Sequence, residues 1–303
     1  MERIVVVSKS TRLEELVREH LTLSAAKFHV ESLGQSIADY LLENATYKES
    51  LAEIRKQIPN DIAVVAITRE NLPDFLFRKT DLVIVCGPDG LFVNVAKYLD
   101  TQPVLTVNPD KKTVAGVLML FEPGMVGKVI TQVKTGTHRI QSLPFVKACI
   151  DNDQVIWGIN DIFIGRKDHG SARYKLSYAR QEERQSSSGI IVSTGVGGTG
   201  WMRSVQIMIA GISGKSSGKL ATLPQIESNE LVFVVREPFP SPSTGVSMIT
   251  GRITPGKPLT VISEMPDGGC IFSDGILEKA VAWKAGSSVI ISVGDRYVQR
   301  IIP

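Results

Sequence analysis

Residues 83–90 read Val83-Ile84-Val85-Cys86-Gly87-Pro88-Asp89-Gly90, and a helical-looking apolar segment, Leu91 to Leu99, follows them. The unbroken apolar run predicts a strand that is buried on both faces of a sheet. The two glycines predict a tight turn that opens the following helix. In an open α/β sheet such a turn lies at the carboxyl end of its strand, where ligands bind, and the start of a helix favours an anion there.

Asp89 brings a carboxylate into this predicted phosphate-binding turn. Because a carboxylate repels a phosphate, the natural roles for Asp89 are a general base or a partner of Mg²⁺. The alternative is that Asp89 only caps the helix through an Asx turn. This segment alone leaves both interpretations open.

Working outward, residues 1 to about 135 alternate strand and helix. Apolar runs at 4–7, 62–67, 82–85 and 104–107 are separated by helical patterns at 13–23, 37–58 and 91–99. This rhythm predicts an α/β domain with a parallel sheet. Beyond Thr135, short strands separated by turn residues predict an antiparallel β domain.

The composition is that of a globular protein, with 43% hydrophobic and 21% charged residues among 303. A net charge of +3 is too small to indicate a nucleic-acid partner, and no apolar run is long enough to predict a membrane span. The N-terminus reads as a first strand, so we expect no secretory signal. Three widely spaced cysteines suggest a reducing, cytoplasmic location and give no metal-ligand spacing.

Asn160 and Asp161 interrupt an apolar strand pattern, Trp157 to Ile164. Burying an amide and a carboxylate is costly unless they bind something. Together they match the donor and acceptor pattern of a ribose or an adenine edge. The alternative is a simple turn between strands, because Asn-Asp is good turn chemistry.

The segment from Ser186 to Trp201 runs from a strand through glycines and hydroxyl residues into a helix. Its backbone amides and the hydroxyls of Ser193, Thr194 and Thr199 could hold a nucleotide, or the loop could be purely structural. A later turn, Phe272-Ser273-Asp274-Gly275, is a weak signal by itself and reads as a hairpin.

In this order, the four segments resemble the NAD kinase family. Its pattern is Gly-Gly-Asp-Gly, an Asn-Glu pair after a strand, Ser-Thr-Pro-Thr-Gly-Ser-Thr-Ala-Tyr, and a late Asp-Gly. The resemblance covers roughly residues 81–282, and Val107-Asn108 is similar to the family's Gly-(Val/Ile)-Asn. It implies an N-terminal α/β domain at 1–135, a C-terminal all-β sandwich at 136–284, and a tail at about 285–303 that packs back on the first domain.

The resemblance also implies a function, which is ATP-dependent phosphorylation of NAD at the adenosine ribose 2′-hydroxyl to give NADP. Mg²⁺ would accompany ATP, small nucleotides rather than nucleic acid or membrane would be the partners, and a homodimer or homotetramer would be the assembly. The implied base is Asp89. The residues implied near the phosphates are Gly87, Gly90 and Asn108, and those implied at NAD are Asn160, Asp161, Ser193, Thr194, Thr199 and Trp201.

Departures from the family pattern leave alternatives open. Pro88 replaces a glycine and removes one backbone donor to phosphate, Asp161 is shorter than the usual Glu, and Trp201 replaces a Tyr. The acceptor could be NAD, NADH, or a lipid or sugar hydroxyl, and the donor could be ATP or polyphosphate. A non-catalytic nucleotide-binding protein is the third alternative.

Overall fold

A computed structural model describes residues 1–113, 116–151, 153–214 and 223–303 of the chain. These residues divide by their contacts into two compact units, Met1–Gln141 with Val298–Pro303, and Ser142–Tyr297. Such a division does not test independent folding, so the domain limits expected from the sequence, 1–135 and 136–284, stay a prediction.

The helices are α1 (Arg12–His20), α2 (Leu23–Ser32), α3 (Ala38–Gln57), α4 (Asp89–Ala96), α5 (Val126–Thr135) and α6 (Trp201–Ser213). The strands are β1 (Arg3–Ser8), β2 (Ala63–Thr68), β3 (Asp81–Cys86), β4 (Pro103–Val107), β5 (Arg139–Ile150), β6 (Gln154–Gly158), β7 (Asp161–Arg166), β8 (Ala172–Tyr178), β9 (Gln181–Ser187), β10 (Ile190–Ser193), β11 (Leu231–Val235), β12 (Thr250–Ile253), β13 (Leu259–Ser263), β14 (Gly269–Ser273), β15 (Val281–Ala282) and β16 (Ser288–Ile302). Among the described residues, no helix has both the length and the apolar character needed to cross a bilayer.

The first unit contains a parallel sheet in the order β2-β1-β3-β4, as the apolar runs predict. All six residues of β3 are buried, because apolar side chains cover both faces of the sheet. Helices α3 and α5 pack on one face, through residues such as Ile54 and Val129. At the end of the chain, Gln299 and Arg300 pair in parallel with the start of β4.

The helical segment expected at 13–23 is divided in two, which corrects that expectation. Helix α1 ends at His20, and Leu21 has a left-handed backbone with φ 66°. The hydroxyl of Thr22 then accepts a hydrogen bond from the amide of Ala25 at 3.1 Å. This bond satisfies one of the free amides at the start of α2, so a new helix begins.

The second unit is a β-sandwich, as expected. One layer has the order β6-β5-β16-β13-β8-β9, and the other has the antiparallel order β12-β11-β10-β7-β14-β15. Their shared core includes Tyr174, Phe233 and Trp283, each essentially free of solvent contact. The strand β9 has no apolar pattern, and the sequence did not predict it. It forms at the edge of its layer because every residue pairs with β8, and charged side chains are common on such edges.

Candidate functional site

Asp89 lies in the first unit, at the carboxyl end of the parallel sheet, where β3 gives way to α4. Pro88 occupies the N-cap position of α4 and Asp89 is its first residue, so Asp89 does not act as the cap. The half-buried carboxylate accepts one backbone hydrogen bond on each oxygen, from Leu118 at 2.9 Å and from Val117 at 3.0 Å. A carboxylate has about four lone-pair positions, so these two bonds fix its orientation and leave acceptor capacity.

The glycines beside Asp89 have different roles in the turn. The amide of Gly87 donates to the carbonyl of Val107 at 3.1 Å, so this hydrogen bond between neighbouring strand ends already uses it. A Cβ at Gly87 would lie 2.8 Å from Cδ2 of Leu91, which explains the glycine by packing. Gly90 is exposed, and a Cβ there would meet no atom within 4 Å. Of the two glycines implied at phosphate, only Gly90 lies on the open side of the turn.

Asn108 is buried, with 2% of its surface exposed. Its side-chain oxygen accepts from the amide of Asp110 at 3.0 Å, and its own amide donates to Phe121 at 2.9 Å. A Cβ at Gly116 would lie 2.9 Å from Nδ2 of Asn108. Asn108 therefore lies against Asp110 and Gly116, and Gly116 directly precedes Val117 and Leu118, the residues that hold Asp89.

A cleft of about 500 Å³ opens at this same end of the sheet. Its volume is within the range of about 300–1,000 Å³ that small-molecule ligands occupy. The lining combines two cations and three acids with Tyr47 and two prolines: Lys9, Arg12, Asp39, Leu42, Glu43, Tyr47, Pro88, Pro109, Asp110 and Thr113. Arg12 is paired with Glu43 at 2.5 Å, which leaves Lys9 as the cation with no ion pair to another described residue.

Tyr47 ties two strand ends together beside the cleft. Its hydroxyl donates to the carbonyl of Cys86 at 2.7 Å and accepts from the amide of Lys9 at 3.0 Å. Burial raises the pKa of Tyr47, so the hydroxyl stays protonated at neutral pH. Burial also raises the pKa of the Cys86 thiol to about 12, which makes it a packing group rather than a nucleophile.

In the second unit, the three remaining segments meet at one end of the three central strands β10, β7 and β14. Strand β7 is antiparallel to both β10 and β14, with Ser193 opposite Asp161 and Ser273 opposite Ile162. The start of β7 therefore adjoins the ends of the other two strands. Strand pairing thus brings Ser273 next to Ile162, which lies far earlier in the chain.

Both the amide and the carbonyl of Asn160 are hydrogen-bonded at this end of the strands. Its carbonyl accepts from the amide of Thr194 at 2.9 Å, and its amide donates to the carboxylate of Asp274 at 2.7 Å. The side-chain oxygen of Asn160 is buried and has no hydrogen-bond partner among the described residues. An unpaired buried acceptor costs about 1–3 kcal/mol, so a donor from a ligand would be stabilised there.

Ser193 and Thr194 use their hydroxyls within the protein. The Ser193 hydroxyl donates to the carbonyl of Thr194 at 3.0 Å. The Thr194 hydroxyl donates to the carbonyl of Ile159 and accepts from the amides of Val196 at 3.1 Å and Gly197 at 3.2 Å. Both side chains are fully buried, so they shape the loop around Asn160.

Thr199 lies just before α6, and Trp201, which is half-buried, is the first residue of this helix. Thr199 is exposed, and its hydroxyl donates to the carbonyl of Val196 at 3.1 Å. The Trp201 ring stacks on Phe163, with 5.5 Å between ring centroids, and lies parallel to Phe272 at 6.5 Å. Trp201 thus packs α6 against the sheet, with the Arg236 guanidinium 5.4 Å from its ring centroid.

Two of the basic residues between the Asn160 and Ser193 segments pair with acids of the second unit. Arg166 contacts Asp168 at 2.7 Å, and Arg184 contacts Glu264 at 2.7 Å.

Sequence reasoning gave two contributors no role in the site. One is the Asp274 carboxylate, whose Asp-Gly turn is one of the four segments that carry the resemblance but reads by itself as an ordinary hairpin. The other is the pair of amides at Val117 and Leu118, since backbone donors have no sequence signature. Asp161, by contrast, was predicted, and it lies 5% exposed at the start of β7.

Comparison with known proteins extends the fold assignment. The sequence matches no family model and no curated protein. A crystal structure of yeast NADH kinase complexed with NADH is similar with a TM-score of 0.65 and 13% identity, over 100% of this chain and 84% of that chain. An NAD kinase from Archaeoglobus fulgidus in complex with ATP is similar with a TM-score of 0.60 and 16% identity, over 98% of this chain and 92% of that chain.

The chain is therefore a protein of α/β plus β-sandwich architecture with a carboxylate at the carboxyl end of its parallel sheet. Its fold is that of the yeast NADH kinase and the A. fulgidus NAD kinase structures. The resemblance predicted from the four motifs is confirmed at the level of fold.

Proposed function

We propose that this protein transfers the γ-phosphate of ATP to the 2′-hydroxyl of the adenosine ribose of NAD, giving NADP and ADP. The observation that carries the proposal is the half-buried carboxylate of Asp89, held by two backbone amides at the ligand-binding end of the parallel sheet. The shared fold with two NAD(H) kinases supports it.

In this reaction Asp89 is the general base. It takes the proton from the 2′-hydroxyl while that oxygen forms a bond to the γ-phosphorus and the bond to the β-phosphate oxygen breaks. The proton then passes from Asp89 to solvent. Proton transfer of this kind contributes about 10²–10⁴-fold to a rate. The remaining acceleration comes from positioning and charge stabilisation, as is usual in phosphoryl transfer.

ATP enters as its Mg²⁺ complex, which is a substrate of the reaction. Mg²⁺ is usually held by phosphates and water with few protein carboxylates. The cleft at Lys9 and Pro88 has a suitable volume, and Lys9, which forms no ion pair within the described parts of the chain, is available for the phosphate chain. Gly90, on the open side of the turn, is the glycine whose backbone can approach a phosphate.

NAD binds where the start of β7 adjoins the ends of β10 and β14. The side-chain amide of Asn160 offers an acceptor and a donor, the pair that matches the N6 amino group and N7 of adenine. The carboxylate of Asp161 accepts from ribose hydroxyls, and the exposed Thr199 contacts the base. Ser193 and Thr194 hold the backbone around Asn160 through hydrogen bonds, and Trp201 packs against Phe163 of β7.

The test is formation of NADP from NAD and Mg²⁺-ATP by the purified full chain, detected with an NADP-specific dehydrogenase. We expect Asp89→Asn to lower kcat about 10²–10⁴-fold with little change in the melting temperature. The matched control is Asp61→Asn, the same change at an exposed residue that precedes β2 at the other end of the sheet. Wild-type turnover in Asp89→Asn would refute the role of Asp89.

The same assay separates the alternatives. NADH in place of NAD and polyphosphate in place of ATP test the acceptor and the donor. A lipid or sugar panel tests a related kinase, and binding of NAD without NADP formation identifies a non-catalytic module. Light scattering tests the expected homodimer or homotetramer, and fractionation of cells tests the cytoplasmic location.

A further inference from the structure

The carboxylate of Asp274 binds three successive backbone amides on a distant part of the chain. Its Oδ1 accepts from Asn160 at 2.7 Å and from Asp161 at 3.1 Å, and its Oδ2 accepts from Ile159 at 3.2 Å. The amide of Asp274 in turn donates to the carbonyl of Asp161 at 3.0 Å. One side chain therefore closes the turn between β6 and β7 from the end of β14.

The geometry of the Asp274 turn is specific. Asp274 has φ 54° and Gly275 has φ 73°, so both residues adopt a left-handed backbone directly after β14. Asp and Asn tolerate this conformation better than other residues with a side chain. The short Asp side chain then reaches from the end of β14 to the backbone of residues 159–161, just before and at the start of β7.

We infer that Asp274 is a positioning residue for the acceptor nucleotide, acting through the backbone that carries Asn160 and Asp161. The inference rests on the proposed function, since it assigns a further residue to the proposed NAD site. Asn160 is fixed at its amide by Asp274 and at its carbonyl by Thr194, so its side chain leaves the backbone in one direction. Asp274 itself need not touch the ligand.

Removing the carboxylate frees three amides at once. The strand pairing of β7 with β10 remains, so the unit stays folded while the turn samples other conformations. If the turn then holds its native geometry for about a tenth to a hundredth of the time, the apparent Kd for NAD rises about ten- to a hundredfold. The nucleotide donor is proposed to bind in the other unit, so its affinity stays unchanged.

The experiment compares Asp274→Ala and Asp274→Asn with the wild type in the full chain. Calorimetry gives the Kd for NAD and for ATP, steady-state kinetics gives kcat at saturating NAD, and hydrogen exchange reports on the peptide covering residues 158–162. Asp274→Asn keeps the shape and one acceptor oxygen, so it provides the readout if Asp274→Ala folds poorly.

The matched control is Glu183→Gln. Glu183 also fixes backbone amides of the second unit, those of Ser247 and Met248 at 3.0 Å, but on the hairpin side of the sandwich. A purely structural carboxylate lowers the melting temperature and leaves the Kd for NAD unchanged, which we expect for Glu183→Gln.

The expected result is a Kd for NAD raised about ten- to a hundredfold in both Asp274 variants, with an unchanged Kd for ATP and faster exchange at residues 158–162. An unchanged Kd for NAD in Asp274→Asn overturns the inference, even where NADP formation confirms the proposed reaction. If the wild type binds NAD without transferring phosphate, the proposed reaction fails and the Kd values alone decide the role of Asp274. If the wild type does not bind NAD, both proposals are overturned.

Discussion

Gly197→Ala should be one of the most damaging small substitutions in the second unit. An ideal Cβ at Gly197 would lie 2.1 Å from the carbonyl oxygen of Asn160 and 2.5 Å from the hydroxyl of Ser193. The obstructing carbonyl belongs to backbone that is tied to Thr194 and to Asp274, so it cannot rotate away as a side chain would.

The cost can be worked from these contacts. Overpacking a filled interior costs about 1–3 kcal/mol, and displacing Asn160 from its 2.9 Å bond with the Thr194 amide loses a further 1 kcal/mol or so. About 3 kcal/mol in a unit of this size lowers the melting temperature by roughly 6–12 °C. The shift also moves the Asn160 side chain, so NAD binding should weaken in the same variant.

The assay is thermal unfolding followed by circular dichroism, with calorimetry for NAD. Gly211→Ala is the control, because a Cβ at Gly211 meets no atom within 4 Å and the residue lies inside α6. Alanine is favoured over glycine in a helix by about 0.5–1 kcal/mol, so this control should raise the melting temperature. A Gly197→Ala protein that melts within about 1 °C of the wild type would falsify the reasoning.

Pro88→Gly should lower the free energy of unfolding by about 0.4–1 kcal/mol, because Pro88 has φ −77° and proline restricts the unfolded chain. The new backbone amide at position 88 should also lower the KM for ATP. Pro123→Gly is the control, and an equal KM for ATP in the two variants would contradict a phosphate contact at position 88. Burial alone raises the pKa of Glu183, but hydrogen bonds from Ser247, Gln185 and Met248 outweigh it and lower the pKa to about 2. The ionised Glu183 therefore stabilises the fold above the unfolded pKa of about 4.3, and this stabilisation is lost as the pH falls toward 2. Denaturant unfolding between pH 5 and about 2 should show a smaller loss of unfolding free energy in Glu183→Gln than in the wild type.

Much of the candidate site could be predicted from local pattern. The apolar run of β3 followed by Gly87 and Asp89 specifies a buried strand, a turn and a helix within a few residues, and the structure has all three. The same holds for the strand, glycine loop and helix that begin at Ile190. Local patterns succeed here because burial on both faces, turn chemistry and helix starts are set by neighbouring residues.

Other features had no local signal. The strand β9 is polar and exists because β8 offers it a complete set of backbone partners. The break between α1 and α2 depends on the cap at Thr22, within a stretch whose apolar pattern continues. In both cases backbone hydrogen bonds override the pattern of hydrophobic residues.

The sequence by itself determined the alternation of strands and helices in the first part of the chain, the two kinds of architecture and the positions of the polar groups that follow apolar strands. Only the tertiary structure decided what those polar groups do. It turned Ser193, Thr194 and Asn108 into buried supports, gave Asp89 its two amide donors from residues 117 and 118, and brought Asp274 to residues 159–161. The physical reason is that Asp89, Thr194 and Asp274 bond to residues 28 to 115 positions away, so these contacts depend on which segments become neighbours in the fold, and no local stretch of sequence specifies that.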